Sequence, residues 1–191
     1  MIAYENLVTS EFITKVKEVS ARLKIDPSWL MIVMSAETGN TFSPSIRNAS
    51  SGATGLIQFL KDTAIDLGTT TDQLARMSAT AQLDYVEKYL KTYTGRMTDV
   101  YNVYLAIFSP KYIGKPDAQK VFVKGTKAYT QNIGLDRNKD GIITVADIKA
   151  FVSKRIPSGI SAGSVTAEQA KLPVFILVII ILVLYYFLKT K

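Results

Sequence analysis

The sequence of 191 residues contains no histidine and no cysteine. Without these two residue types there can be no Ser-His-Asp or Cys-His nucleophilic relay and no zinc hydrolase with histidine ligands. A disulfide framework and thiol redox chemistry are excluded as well. Any catalysis must therefore use carboxylates, hydroxyls, amides, lysine or a hard cation.

Basic residues exceed acidic ones, 23 against 16, which gives a formal net charge of +7. This excess favours an anionic polymer as a binding partner. The sequence contains no nucleic-acid-binding motif and no dense basic run, so we expect no nucleic acid among its partners.

The apolar residues are concentrated near the C-terminus. Every residue from Leu172 to Leu188 is apolar, aromatic or proline, and a run of about 17 such residues is at the short end of the range that spans a bilayer. An amphipathic core helix would instead place a polar residue at every third or fourth position. The run therefore predicts a single-pass transmembrane anchor over residues 172–188. Residues 157–171, which are small, polar and broken by Pro and Gly, predict a flexible tether before it.

Residues 1–156 are expected to be mainly helical, because apolar residues recur at helical spacing between turn signals. The predicted helices cover residues 12–23, 27–38, 56–67, 74–93, 99–108, 116–132 and 145–156. Residues 40–55 are rich in turn-forming residues and have room for at most a short hairpin or loop. No alternating run is long enough to require a large sheet, so the predicted fold class is mainly α.

Glu37 is the candidate catalytic residue. It follows Leu30 and Val33 by seven and four residues, which puts a carboxyl on the apolar face of its helix, in the last turn. Burial and the negative end of the helix dipole both raise the pKa of a carboxyl. A carboxyl that keeps its proton near neutral pH can act as a general acid. The alternative is a buried ion pair, for example with Arg47, which would lower the pKa instead.

The residues after Glu37 form a pattern with a known counterpart. Glu37-Thr38-Gly39 is followed by a Ser/Gly loop at residues 50–53, by GLIQF at 55–59 and by Thr-Ala at 63–64. This order resembles the soluble lytic transglycosylase family, which is related to goose-type lysozymes. Residues 101–110, YNVYLAIFSP, look like the late aromatic motif of bacteriophage members and depart from the A-Y-N-A-G form of bacterial enzymes. The resemblance covers residues 25–115.

The resemblance implies a lysozyme-like helical domain over residues 1–115 that cleaves peptidoglycan. It implies that Glu37 protonates the glycosidic oxygen between N-acetylmuramic acid and N-acetylglucosamine, while the N-acetyl group of the substrate stabilises the developing positive charge. Glu37 then acts as a base on the 6-hydroxyl and a 1,6-anhydro end results; attack by water would make the same site a lysozyme. The implied glycan-binding residues are Ser51, Gln58, Phe59 and a tyrosine, either Tyr101 or Tyr104.

The residue content agrees with one detail of this mechanism. Glycosidases that use two carboxylates place them about 5 Å apart or further. No Asp or Glu lies between Glu37 and Leu60, and Asp62 and Asp66 are expected to face solvent on the next helix. A single acid is better matched to substrate-assisted cleavage.

Residues 136–147, DRNKDGIITVAD, fit the twelve-residue loop of an EF-hand. The predicted ligands are Asp136, Asn138, Asp140, the backbone carbonyl of Ile142, Thr144 through a water molecule, and Asp147. The last position holds Asp147 where a bidentate Glu is the rule, so calcium binding should be weakened or magnesium should compete. We expect structural Ca²⁺ in a single EF-hand-like helix-loop-helix over residues 116–156. A surface turn that binds no metal is the alternative.

A transglycosylase-like domain followed by such a loop resembles bacteriophage wall-degrading proteins. We therefore expect a membrane-anchored lytic transglycosylase, associated with a virion, that opens the wall locally during entry. Its expected partners are peptidoglycan strands, a lipid membrane and other virion proteins. The lysines after the anchor favour a cytoplasmic C-terminus, whereas the N-terminus lacks a signal peptide. A virion membrane is the preferred location, with the bacterial inner membrane as the alternative.

Two other functions are consistent with the same sequence. In the first, the chain is a catalytically inactive wall-docking or virion structural protein with the same fold. In the second, it is a calcium-dependent adaptor tethered to a membrane. The first keeps the fold without a need for Glu37, and the second predicts partner binding that is lost with a chelator.

Overall fold

The computed structural model describes residues 1–163, and these residues are mainly helical. The elements in chain order are α1 (Ser10–Leu23), α2 (Pro27–Thr38), α3 (Lys61–Asp66), α4 (Thr71–Arg76), α5 (Ala79–Leu90), α6 (Val100–Phe108), β1 (Lys120–Val123), α7 (Lys127–Gln131), β2 (Ile142–Thr144) and α8 (Val145–Ser153). Short 3-10 helices lie at Glu5–Leu7, Lys91–Tyr93, Pro110–Tyr112 and Ile133–Leu135. The predicted mainly α class is confirmed.

Local capping determines both ends of α2. The Asp26 carboxylate accepts a hydrogen bond of 2.7 Å from the backbone N–H of Ser28, and Pro27 occupies the first helical position. At the other end Gly39 adopts a left-handed conformation with φ of 59°, which closes the helix. The predicted bounds of this helix are confirmed.

The helix predicted over residues 56–67 is wrong in its first half, because α3 begins only at Lys61. Gly55 and Gln58 both have positive φ, 83° and 52°, which a helix does not allow. Thr54 instead bridges both Arg47 and Phe59 in antiparallel pairing. The helix predicted over residues 74–93 is likewise interrupted, since α4 and α5 are separate helices.

The helix predicted over residues 116–132 is also wrong. Its β-branched and aromatic residues form β1, which pairs antiparallel with β2 so that Lys120 lies opposite Thr144 and Val123 lies opposite Ile142. Gly125, with φ of 93°, turns the chain into the short α7. The metal-loop candidate is therefore preceded by a strand and a short helix rather than by the long entering helix of an EF-hand.

Helix α2 is the centre of the hydrophobic core. Every residue from Trp29 to Ser35 is buried, and α2 packs against α1, α6 and α8. The core continues across the boundary expected between residues 115 and 116, since Ile148 and Val152 of α8 belong to the same buried cluster as α2. The segment with the candidate metal loop is thus packed against the helix that carries Glu37.

The first part of the segment predicted as a tether contacts the body. The indole N–H of the buried Trp29 donates to the backbone oxygen of Ser161 at 2.9 Å, and the N–H of Val100 donates to that of Ala162 at 3.1 Å. The buried indole N–H needs an acceptor, and Ser161 supplies it. The prediction of a flexible tether is therefore wrong for residues 157–163, which contact the body. The rest of the predicted tether and the predicted anchor at 172–188 lie outside the described residues. Within residues 1–163, no helix has the length and apolar content to cross a bilayer.

Gln82 holds the loop that contains the GLIQF residues. Its side chain is fully buried, and its Oε1 accepts a hydrogen bond of 2.6 Å from the N–H of Leu56. Its Nε2 donates to the backbone oxygens of Pro44 and Leu74 at 3.1 and 2.9 Å. Gly55 lies directly against this amide, where a Cβ atom would collide with it. One glutamine of α5 therefore joins three separate stretches of backbone.

We predict that Gln82→Leu lowers the free energy of unfolding by on the order of 3 kcal/mol, because it leaves two buried and one partly buried backbone group without their partner. Gln131→Leu, at an exposed position of α7, is the matched control and should change stability little. Denaturant titration of both variants measures the difference. Equal stability of the two variants would contradict the role assigned to Gln82.

Candidate active site

Glu37 lies in the last turn of α2, where the helix leaves the core. The residue keeps partial exposure, while its carboxyl lies deep among protein atoms, and this burial raises its pKa from the ordinary 4.5 to about 7. The Tyr104 hydroxyl and the positive charge of Arg155 oppose the rise but do not cancel it. A carboxyl with this pKa can both donate and accept a proton near neutral pH.

The end of α2 is fixed by the residue after Glu37. The Thr38 hydroxyl donates to the backbone oxygen of Met34 at 2.7 Å and accepts from the N–H of Phe42 at 3.0 Å. Phe42 is buried against Phe12 of α1, with ring centroids 6.2 Å apart. These contacts hold the backbone on the C-terminal side of Glu37 and so limit the positions that its carboxyl can take.

The alternative of an ion pair between Glu37 and Arg47 is wrong. The Nη2 atom of Arg47 lies 2.8 Å from Oδ1 of Asp72, on the surface of the molecule. This guanidinium lowers the pKa of Asp72 by a hydrogen bond and by its charge. It is absent from the groups that shift the pKa of Glu37.

Of the two candidate tyrosines, the structure brings Tyr104 to Glu37. The Tyr104 ring is buried in α6 and stacks on Phe108 with centroids 5.7 Å apart. Burial and the nearby Glu37 carboxyl raise the pKa of the Tyr104 hydroxyl well above its usual value. The hydroxyl and the carboxyl are close enough for each to shift the pKa of the other. The hydroxyl of Tyr101 instead lies 3.0 Å from Oγ of Ser153.

Ser51 and Gln58 lie in the loops that follow α2. Ser51 is exposed, and its N–H donates to Oδ1 of Asn48 at 3.1 Å in a tight turn. The partly buried Gln58 donates from Nε2 to the backbone oxygens of Gly55 and Ile46 at 3.1 and 3.4 Å. These bonds turn the Gln58 amide back onto its own loop.

The expectation that Phe59 contacts a substrate is corrected by the structure. Its ring is only 2% exposed and belongs to the hydrophobic core. A ring with so little accessible surface has no face for a glycan. Phe59 instead anchors the loop to the hydrophobic core.

Arg155 is the residue near Glu37 that the sequence did not indicate. It follows Glu37 by 118 positions, past the end of α8. No motif or spacing marks it, because its place depends on the packing of α8 against α2.

The first position of the candidate metal loop has an unsatisfied oxygen. The Asp136 carboxylate accepts hydrogen bonds through Oδ2 from the hydroxyl of Tyr129 at 2.6 Å and from the N–H of Gly141 at 3.0 Å. These donors lower the pKa of Asp136, so its carboxylate is charged. Its buried Oδ1 has no hydrogen-bond partner among the described residues. A buried charged oxygen without a donor is suited to a hard cation.

The other predicted ligands are turned toward each other. Asn138 donates from Nδ2 to Oδ2 of Asp140 at 2.8 Å, and Oδ1 of Asp140 accepts from the N–H of Ile142 at 2.8 Å. The Asp147 carboxylate accepts from the N–H and hydroxyl of Thr144, at 2.9 and 2.6 Å, in a capping box that starts α8. Within residues 1–163, no three acidic side chains converge as metal ligands. The capping bonds use Oδ2 of Asp147, and Asp136 presents the unsatisfied carboxylate oxygen of the loop.

The raised pKa of Glu37 predicts a cost in stability that depends on pH. Below pH 4.5 the group is protonated in both the folded and unfolded states and contributes nothing. Between pH 4.5 and about 7 only the unfolded state releases the proton, so stability falls as the pH rises. Glu37→Gln should therefore be more stable than the wild type at pH 8, by on the order of 3 kcal/mol, and nearly equal at pH 4.

Denaturant titrations of the two proteins at both pH values measure this difference. The control is Glu18→Gln, at an exposed position of α1, which should show no such gain. A Glu37→Gln variant without a pH-dependent gain would mean that the carboxyl is not destabilised by burial.

No protein-family model matches the sequence, and no curated protein matches it. The chemistry of the site must therefore be inferred from its residues, from their geometry and from the motifs that they form.

Proposed function

We propose that this protein cleaves the glycan strands of peptidoglycan as a lytic transglycosylase, with Glu37 as the general acid and then the general base. The observation that supports this most strongly is a partly exposed glutamate at the end of a buried helix, with a pKa raised to about 7. The GLIQF loop and the Ser/Gly loop follow this helix in the order that the resemblance requires. The proposal includes a lysozyme-like arrangement of α1 to α6 around the site.

In the proposed reaction, protonated Glu37 gives its proton to the glycosidic oxygen as the bond to the sugar breaks. The carboxylate that forms faces the Tyr104 hydroxyl and the charge of Arg155, and both favour the charged form. Glu37 then takes the proton of the sugar 6-hydroxyl, whose oxygen closes the 1,6-anhydro ring. Because the first step requires the protonated acid, activity should decline as the pH rises above about 7.

The surroundings of Glu37 support assistance by the substrate. Among the described residues, no second carboxyl contributes to the shift of the Glu37 pKa. Asp62 and Asp66 are exposed on α3, as expected. The N-acetyl group of the substrate is therefore assigned the stabilisation of the positive charge that a second carboxylate supplies in other glycosidases.

We also propose that the chain is anchored in a membrane through residues 172–188, preferably in a virion. The apolar run and the two lysines after it are the support for this placement. A membrane anchor would keep the cleavage of the wall local to the site of entry.

The test of the catalytic proposal is a zymogram of the full chain in a gel that contains peptidoglycan. The wild type should clear the gel, and Glu37→Gln should lose activity by about 10²–10⁴-fold, as expected for the removal of a general acid. The control variant Glu18→Gln should clear the gel like the wild type. Clearing that survives Glu37→Gln would contradict the mechanism. A folded wild type that binds the wall without clearing it would favour the wall-docking function.

The proposal for the loop at residues 136–147 is a structural Ca²⁺ site, for which Mg²⁺ competes. Asp136, Asn138, Asp140 and the carbonyl of Ile142 would hold the cation, with Thr144 through water and with Asp147 at the last position. The bound ion would neutralise the carboxylates and tie the loop to the start of α8. No step of the glycan cleavage requires it.

We predict that Ca²⁺ raises the thermal unfolding temperature of the full chain by on the order of 5 °C at a hundredfold excess over its dissociation constant. Asp136→Asn keeps an acceptor for Gly141 but removes the charge, and should abolish this shift. Asp62→Asn, at an exposed position of α3, should keep it. If the wild type shows no shift, the loop is a turn that binds no metal.

A further inference from the structure

We propose that Arg155 is a positioning residue of the active site, which holds a fixed positive charge opposite Glu37. Through it, the segment that follows the metal loop takes part in the reaction. This inference rests on the proposed function, because it assigns a role in the same proton transfer.

Three contacts fix the position of Arg155. Its backbone oxygen accepts a hydrogen bond of 2.6 Å from the hydroxyl of Tyr4, near the N-terminus. Its Nη1 donates to the backbone oxygen of Phe151 at 2.8 Å, and its guanidinium lies 3.6 Å from the centroid of the Phe151 ring. A guanidinium on an aromatic face is held by cation–π attraction. The position of the Arg155 charge therefore depends on Tyr4 near the start of the chain and on Phe151 in α8.

The aromatic ring under Arg155 leads directly to the site. The rings of Phe151 and Tyr104 lie with centroids 5.6 Å apart, and Tyr104 in turn faces the Glu37 carboxyl. Phe108 also stacks on Tyr104, with centroids 5.7 Å apart. Arginine, phenylalanine and tyrosine thus form one continuous packed row from α8 to α6, and movement of any member would disturb the others.

Arg155 acts on Glu37 without forming an ion pair with it. The ion pairs among residues 1–163 join other side chains. A direct pair would hold the carboxylate in its charged form and remove the proton that the first step needs. A fixed cation slightly further away stabilises the carboxylate formed by proton donation and still allows the proton to return. This intermediate placement suits a group that must both give and take a proton.

The charged and titratable groups that face Glu37 come from two of the elements packed against α2. They are Tyr104 of α6 and Arg155 after α8, and no side chain of α1 contributes. Both groups lower the pKa of Glu37 against the effect of burial. Loss of the Arg155 charge should therefore raise the pKa of Glu37, which shifts the decline of activity to higher pH and slows the donation of the proton in the first step.

The test compares Arg155→Gln and Arg155→Lys with the wild type in the full chain. Carbon-13 labelling of the six glutamates allows the Glu37 carboxyl to be titrated by NMR, with its signal assigned from Glu37→Gln. Arg155→Gln should raise the midpoint by on the order of one pH unit, as expected for one charge removed from a partly screened site. Arg155→Lys should keep most of the wild-type value. Arg22→Gln removes an equal charge on α1, where Arg22 pairs with Glu87, and should change nothing.

The pH profile of peptidoglycan cleavage gives the second readout. Its decline at high pH should move with the NMR midpoint in Arg155→Gln and be restored by Arg155→Lys. Tyr4→Phe releases the backbone of Arg155 while leaving the guanidinium, so a smaller shift in the same direction is expected. This variant keeps the inference testable if Arg155→Gln does not fold.

Two results separate this inference from the proposed function. A midpoint that stays at the wild-type value in folded Arg155→Gln, or in folded Tyr4→Phe if Arg155→Gln does not fold, would overturn the role of Arg155 whatever the activity. A midpoint that shifts in a protein without cleavage activity would support the charge opposite Glu37 and overturn the proposed reaction.

Discussion

The burial of one carboxyl at the end of α2 is the constraint on which the rest of the site depends. The helix is enclosed from Trp29 to Ser35 by α1, α6 and α8. Glu37 lies at the point where the helix reaches the surface. A carboxyl at this position is partly removed from water, and its charged form is disfavoured. The same desolvation that makes Glu37 a usable acid near neutral pH makes it unfavourable for folding. The tight packing around α2 offsets that cost.

The segment that follows residue 115 contributes to the same site. The strands β1 and β2 pair next to the candidate metal loop, and the capping box at Thr144 and Asp147 starts α8. Helix α8 then packs on α2 and brings Phe151 and Arg155 toward Glu37. The cap uses Oδ2 of Asp147, so the proposed cation site and the start of α8 would share one carboxylate.

The features that the sequence predicts correctly are those determined by neighbouring residues. Asp26, Pro27 and Gly39 delimit α2 by local capping, and this places Glu37 in its last turn. The GLIQF loop is different, because its apolar spacing resembles a helix while Gly55 and Gln58 have positive φ. The bonds from Gln82 that hold this loop come from a helix 26 residues further along the chain.

The strand within residues 116–132 and the position of Arg155 also could not be predicted from neighbouring residues, because both depend on contacts between distant parts of the chain. Val121 and Val123 are compatible with either a helix or a strand, and the pairing with β2 decides for the strand. The position of Arg155 depends on the packing of α8 and on a hydrogen bond from Tyr4, 151 residues away. Tertiary contacts of this kind leave no periodic pattern in the sequence.

Mass spectrometry of the fragments that the full chain releases from purified peptidoglycan tests the central claim most directly. The proposed chemistry predicts soluble muropeptides that lack one water at the muramic acid end, which marks the 1,6-anhydro product. Ordinary reducing ends would keep Glu37 as the acid but assign the second step to water. The absence of released fragments, with a protein shown to be folded and supplied with calcium, would contradict the claim that this buried glutamate cleaves the wall.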